Sequence, residues 1–346
     1  MAETLLLGLS HYPPLSRPDS QMASILKAML KNPHLPVELR SPAGWSEAMA
    51  EEWGDDDGAH AAGLHREILV AELRKCRAEL DAFKPDLVVI WGDDQYENFR
   101  EDIIPPYCIC AYDQFEFTPP SGNVWGDAPD RRVRLAGRRD IGKKLADALI
   151  REGFDTAYAY KPLHDSLGHA FSNGVLYLDY DRQGFDYPIL PFAINCYGRR
   201  VIAQKGGRPD FGQRLGDDDL DPSAPNPSRL FDLGAATARF FEQSPWRVAL
   251  VASSGWSHAF LSPKTHFLWP DREADRRLYQ ALAEGDYAFW RNYSGQAIEE
   301  SGQQEVLNWM CLAGALSELK RPAKSTSLVE TWIFNSSKCF LVAPPP

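Results

Sequence analysis

The sequence predicts an α/β fold, a single large domain with a central, mostly parallel or mixed sheet flanked by helices and an active site at the strand carboxyl ends. Three observations predict it. Short apolar runs at residues 4–8, 86–91 and 248–252 are too brief for helices and suit fully buried strands. Amphipathic stretches at helical spacing, residues 60–83, 139–151 and 229–243, lie between such runs. Each of the three runs also ends in polar residues: Ser10-His11-Tyr12-Pro13-Pro14, Gly92-Asp93-Asp94-Gln95 and Ser253-Ser254-Gly255-Trp256-Ser257-His258. In open sheets such ends are where loops carry ligand-binding groups without breaking the ladder.

The 346 residues suffice for a large core, and no composition break divides them. One domain over residues 1–346 is expected, with a helical and loop excursion at about 32–84. A net charge of −11 argues against a nucleic-acid backbone or an anionic membrane as partner, since both require clustered Lys and Arg. No apolar run approaches the roughly 18 residues of a membrane span, and the chain starts almost directly on a strand with no basic leader, so a cytoplasmic protein is expected. Cys76, Cys108, Cys110, Cys196, Cys311 and Cys339 lie on apolar segments without the spacing of zinc or redox motifs, and read as reduced core residues.

In chain order, Pro13 and Pro14 hold His11 on a stiff turn after the first strand. Residues 20–31 form a helix capped by Asp19 or Ser20. Residues 32–58 are irregular and acidic, a surface excursion or lid, and the helix that follows ends at Lys84-Pro85 with His60 and His65 facing solvent. Residues 103–112 form a strand, 118–130 a loop containing Trp125, 156–160 a short strand, and 162–173 a polar loop with His164 and His169. Residues 187–196 form a strand whose prolines suggest a sheet edge or a bulge. Residues 206–228, acidic and rich in Pro and Gly, are expected to be mobile. Helices at 274–283 and 303–316 complete the chain, the second bearing Glu305 four residues before Trp309. No GxGxxG, P-loop or GxSxG is present, which removes the commonest α/β enzyme classes.

Together these segments resemble, in order, the class III extradiol ring-cleaving dioxygenases, the family of the protocatechuate 4,5-dioxygenase β subunit. Ser10-His11-Tyr12-Pro13 is similar to the family's Ser-His-x-Pro, and residues 85–105 keep the frame of its Asn-Asp-His-x-x-x-Phe loop. Gly168-His169-Ala170 looks like its Asp-His-Gly segment, Ser254-Gly255-Trp256-Ser257-His258 like its Gly-Gly-x-Ser-His, and Glu305 with Trp309 like its metal-binding Glu. The departure is Gln95, which stands where the family has a metal-binding His.

The resemblance implies Fe(II) held by His11, Gln95 and Glu305. Asp94 is an alternative third ligand, His60 or His65 could swing in from the long helix, and loss of the metal stays open. It implies cleavage of a catechol-like ring with O2, with His258 as acid/base and His169 bonding substrate or oxygen. Tyr12, Tyr96 and Trp256 are the candidate substrate walls, and a homo-oligomer or a small partner subunit is the implied assembly. Two other readings share the scaffold: a non-catalytic subunit of such an enzyme, and a metal-dependent hydrolase or lyase.

Overall fold

The computed structural model describes residues 3–165, 167–206 and 215–346. Its main sheet has eight strands: β1 (Thr4–Leu9), β2 (Leu87–Asp93), β3 (Tyr107–Cys110), β6 (Ala157–Ala159), β7 (Ile189–Ile194), β8 (Val248–Ser253), β9 (Ser325–Val329) and β10 (Lys338–Ala343). Their order is β6-β3-β7-β2-β8-β1-β10-β9, and β4 (Gln114–Phe117) pairs with β5 (Val133–Ala136) in a separate hairpin around the expected loop. The four central strands, β7, β2, β8 and β1, run parallel, while β3 and β10 join them antiparallel, so the sheet is mixed.

Every residue of β1, β2, β7 and β8 is buried, which is why these strands read as continuous apolar runs with no alternation. Helices Ala59–Phe83 and His169–Leu178 pack against the central strands from one side, and Pro227–Glu242 and Val306–Glu318 from the other. In the first, Ala62, Leu69, Leu73, Cys76, Leu80 and Phe83 form the buried stripe, and Asp56 caps its start by accepting the backbone N–H of Ala59 and His60. Helices Pro227–Glu242 and Val306–Glu318 cross so closely that a Cβ added at Gly234 or Gly314 would lie 1.9 Å from the other helix's carbonyl oxygen, at Cys311 and Phe231 respectively.

Several local expectations change. Strand β7 is central, not at an edge: its antiparallel ladder with β3 ends at the Ile109–Phe192 pair, one residue short of Pro191, so the missing N–H breaks no bond on that side. The helix expected at 20–31 is two short ones, Asp19–Met22 and Ser24–Met29. Residues 162–173 are not all loop, because a helix begins at His169.

The 32–58 excursion is pinned rather than free: Met49 and Trp53 are buried, and the Glu52 carboxylate accepts hydrogen bonds from Thr331 and the Trp332 backbone. His65 is buried against Phe334, not solvent-facing. Of the 206–228 stretch, residues 207–214 lie outside the described residues. All six cysteines are buried and unpaired, and among the described residues no helix is long and apolar enough to cross a membrane.

Candidate active site

The parallel register of β1, β8 and β2 ends the three strands side by side, Leu9 level with Ser253 and Trp91 with Ala252, so the residues just beyond them converge. His11 Nδ1 lies 2.9 Å from the Ser253 carbonyl. A ring N–H donated there fixes the tautomer and leaves the Nε2 lone pair free. That Nε2 stands 3.9 Å from Asp93 Oδ1 and 3.7 Å from Glu305 Oε2.

Asp93 is the last residue of β2. It is 0% exposed, and neither carboxylate oxygen has a hydrogen-bond partner. Its Oδ2 lies 3.9 Å from His169 Nε2. His169 opens its helix, where the Glu97 carboxylate accepts both its backbone N–H and its ring Nδ1–H at 2.9 Å. Gly168 allows this approach, since a Cβ there would lie 2.9 Å from Glu97 Oε2. The His11 and His169 rings meet edge to face, their centroids 5.0 Å apart.

Glu305 directly precedes helix Val306–Glu318. The Tyr197 hydroxyl donates to its Oε1 and the Gly255 backbone N–H to its Oε2, while His258 Nε2 lies 3.2 Å from Oε1. His258 Nδ1 is buried without a partner. The two loops carrying these residues share one buried anchor, Asp275, whose carboxylate accepts from the Ser257 N–H and hydroxyl and from the Gln303 amide.

Burial pushes His258 down to about 3, so it is a neutral imidazole, and lowers His11 well below its usual value, with His169 adding repulsion. Burial also acts to lower His169, but Glu97, by charge and hydrogen bond, with help from Asp93 and Glu305, takes it up to about 10. Burial raises Glu305 to about 7 and Asp93 well above the carboxylate range, the latter reinforced by Glu305. Environments that drive two histidines apart are the ordinary way a site obtains both an acid and a base.

These groups fit a divalent metal ion. His11, Asp93 and His169 each offer a ligand atom, all within 4.8 Å of one another. Two ligands at about 2.1 Å from one ion are at most about 4.2 Å apart, a limit that the His11–Asp93 and His169–Asp93 separations of 3.9 Å respect, while Glu305 lies 3.7 Å from His11, beside that three-residue group. Imidazole and carboxylate together suit first-row transition ions.

Of the residues expected from sequence, His11, His169, His258 and Glu305 meet here. Gln95 stands apart: its amide donates to the Gly206 carbonyl at 2.8 Å, and its side chain lines the outer cleft. Asp94 is turned away into backbone bonds from Glu97, Asn98 and Phe99. His60 is exposed at the start of the long helix, and His65 is buried against Phe334.

Three expected substrate walls are elsewhere. Tyr12 is a core residue whose hydroxyl donates to the Met22 carbonyl and whose ring lies under the Lys338 ammonium. Trp256 is 0% exposed, wedged between Trp290 and Trp309. Tyr96 takes a left-handed φ of 60° beside Gly206 and does not line the cleft. Sequence reasoning missed Asp93, Glu97, Tyr197 and Asp275. For Asp93 the signal was present, a carboxylate at a buried strand's carboxyl end.

A cleft of about 740 Å³ runs outward from His169, lined among others by Arg17, Gln95, Glu97, Arg132 and His164. Residues 222–340, which carry His258 and Glu305, match the family described as the catalytic LigB subunit of aromatic ring-opening dioxygenase. A 2,3-dihydroxyphenylpropionate/2,3-dihydroxicinnamic acid 1,2-dioxygenase of Paraburkholderia xenovorans (strain LB400) is 28% identical over 265 residues, covering 69% of this chain and 78% of that protein. The chain is thus similar to aromatic ring-opening dioxygenases over part of its length. A second relative, the corresponding dioxygenase 2 of Pseudomonas putida, is 29% identical over 191 residues, 55% of this chain and 49% of its own. The chain spans about half the length of most of the curated relatives it matches. A solved structure of an uncharacterized Escherichia coli K12 protein aligns over 79% of this chain and 91% of its own at a TM-score of 0.45 and 12% identity, too distant to bear on the site.

Proposed function

We propose that this protein opens the ring of a catechol-like aromatic with O2, using Fe(II) held at the ends of β1, β2 and β8 by His11, Glu305 and a third group. The observation that supports this reading most is the convergence, in one buried cluster, of a tautomer-fixed His11, Glu305 and His258, whose Nε2 lies 3.2 Å from Glu305 Oε1. When bound, the ion supplies Lewis acidity and a template on which a catecholate and O2 are held together.

The protein groups do the rest. His258 is neutral and takes the phenolic proton; its Nε2 is the ring atom that faces the cluster, 3.2 Å from Glu305 Oε1. His169, its Nδ1–H held by Glu97, presents Nε2 between Asp93 and the cleft, where it donates to a substrate or oxygen atom. The Gly255 N–H and Tyr197 hydroxyl keep Glu305 in place, and the buried Trp256-Trp290-Trp309 cluster keeps water from that side.

The named substrates of the relatives are catechols with a carboxylated side chain. Arg17, whose guanidinium donates to the Ser121 carbonyl, lines the cleft and supplies a cation for such a group. The unpaired, buried thiols fit a reducing cytoplasm.

Fe(II)-loaded protein given 2,3-dihydroxyphenylpropionate is expected to consume one O2 per catechol. Arg17→Ala is expected to raise KM about tenfold for it, the effect of about 1.4 kcal/mol from one charge-assisted bond, and to leave unsubstituted catechol unaffected. Stoichiometric iron without O2 uptake on either catechol would overturn the reading.

A further inference from the structure

We infer that Asp93 replaces the histidine missing at position 95 as the third protein ligand, forming with His11 and Glu305 a one-histidine, two-carboxylate centre for a divalent transition-metal ion. The inference rests on the reading that a metal binds in this cluster, and it concerns which side chains hold it.

The first ground is an unmet need. Asp93 is 0% exposed, and neither of its oxygens has a hydrogen-bond partner. A buried carboxylate in that condition costs several kcal/mol, whereas buried charges in native proteins are paired or bind metals. Protonation does not remove the difficulty, because a neutral acid would still lack partners for its hydroxyl and carbonyl. A cation between Asp93 and its neighbours does remove it.

The second ground is aim. The Asp93 oxygens face Nε2 of His11 and Nε2 of His169, each at 3.9 Å, and the Nε2 of His11 also faces Glu305 at 3.7 Å. His11 and Glu305 are held by protein groups on the side away from this point, through the Ser253 carbonyl and through Tyr197 and Gly255. Such outer bonds orient ligands toward a metal. His169, with a side chain 23% exposed where Asp93 is at 0%, stands on the cleft side, between the ion and the substrate.

The third ground is the occupation of the alternatives. The Gln95 amide is bonded to Gly206, and Asp94 accepts from three backbone N–H groups. Exchanging an imidazole for a carboxylate has a charge consequence. Two carboxylates neutralise a divalent ion, whereas two imidazoles and one carboxylate leave it one positive charge, so this centre attracts a catecholate less strongly and depends more on His258 and His169 to handle the substrate's protons.

The test is anaerobic Fe(II) titration of the full chain after chelator treatment, with bound iron counted by elemental analysis, for wild type, Asp93→Asn, Asp94→Asn and Gln95→Ala. Asp93→Asn is expected to lose more than about 100-fold in affinity, since even outer-sphere partners are worth 10–100-fold. Gln95→Ala and Asp94→Asn are expected to keep wild-type affinity. Should Asp93→Asn fail to fold, the Gln95→Ala arm still decides, because lost iron there overturns the assignment. Wild-type affinity in Asp93→Asn overturns it while leaving the metal-dependent function standing. No iron bound by wild type removes both.

Discussion

Asp93 and Asp94 are neighbours in sequence with opposite fates. Asp93 ends strand β2, faces His11 and His169 from a fully buried position and has no hydrogen-bond partner. Asp94 begins the turn that follows, and its oxygens accept the backbone N–H groups of Glu97, Asn98 and Phe99. Burial raises Asp94 to about 6, opposed by those N–H groups, while burial, reinforced by Glu305, holds Asp93 well above the usual carboxylate range. One carboxylate is consumed in building the turn, and the other is left for a ligand. The difference teaches that in a site of this kind the functional group is the one whose hydrogen-bonding capacity the fold has left unspent.

The largest effect expected from this contrast is on metal-linked stability. Fe(II) at about 100 times its Kd should stabilise the wild type by about 2.7 kcal/mol, and thermal unfolding under argon should show the same gain for Asp94→Ala and none for Asp93→Asn. Asp94→Ala should lower the stability of the metal-free protein by about 2 kcal/mol, because backbone donors lose their acceptor. Its bound iron per chain should remain that of the wild type, and a loss of iron would merge the two roles that the structure separates.

Asp275 tests whether a buried carboxylate that does have partners behaves differently again. Its carboxyl is raised to about 6, chiefly by burial, with the Ser257 and Gln303 hydrogen bonds opposing. A carboxyl raised on folding contributes stability below its unfolded value, near 3.8, and that contribution fades as pH rises through about 6. Urea unfolding of Asp275→Asn between pH 4 and 6.5 should therefore show a flatter profile than wild type; an unchanged slope would remove Asp275 from the account. The smallest effect belongs to Gln95→Ala, which removes one bond to Gly206 and should cost about 0.5–1.5 kcal/mol with no change in iron.

Much of this was legible in the sequence, for physical reasons. Buried parallel strands must be apolar throughout, so β1, β2 and β8 showed as short runs, and helix Arg139–Arg151 showed its ends as well as its face. His11 and His258 were visible as polar groups at strand ends, where such sheets bind ligands, and Glu305 through its resemblance to the family's metal-binding Glu four residues before a Trp.

Asp93 stood among those strand-end polar residues but was not singled out, because an apolar reading ends β2 at Trp91, whereas pairing with Ala193 and Ile194 of β7 carries the strand through Gly92 and Asp93. That pairing joins segments about a hundred residues apart, and local pattern does not encode it. Tyr12 and Trp256 were misjudged for a related reason: closeness in sequence to a site residue says nothing of direction, and both side chains turn into the core. Glu97 and Tyr197 act only through partners that the fold brings to them.

The central claim, that Asp93 holds the metal, is tested most directly by crystals of the Fe(II)-loaded protein measured on both sides of the iron absorption edge. The account predicts an anomalous peak about 2.0–2.2 Å from an Asp93 oxygen, His11 Nε2 and a Glu305 oxygen, ordinary distances for such ligands. A peak bonded to Gln95 or Asp94, with Asp93 outside the coordination sphere, would contradict it.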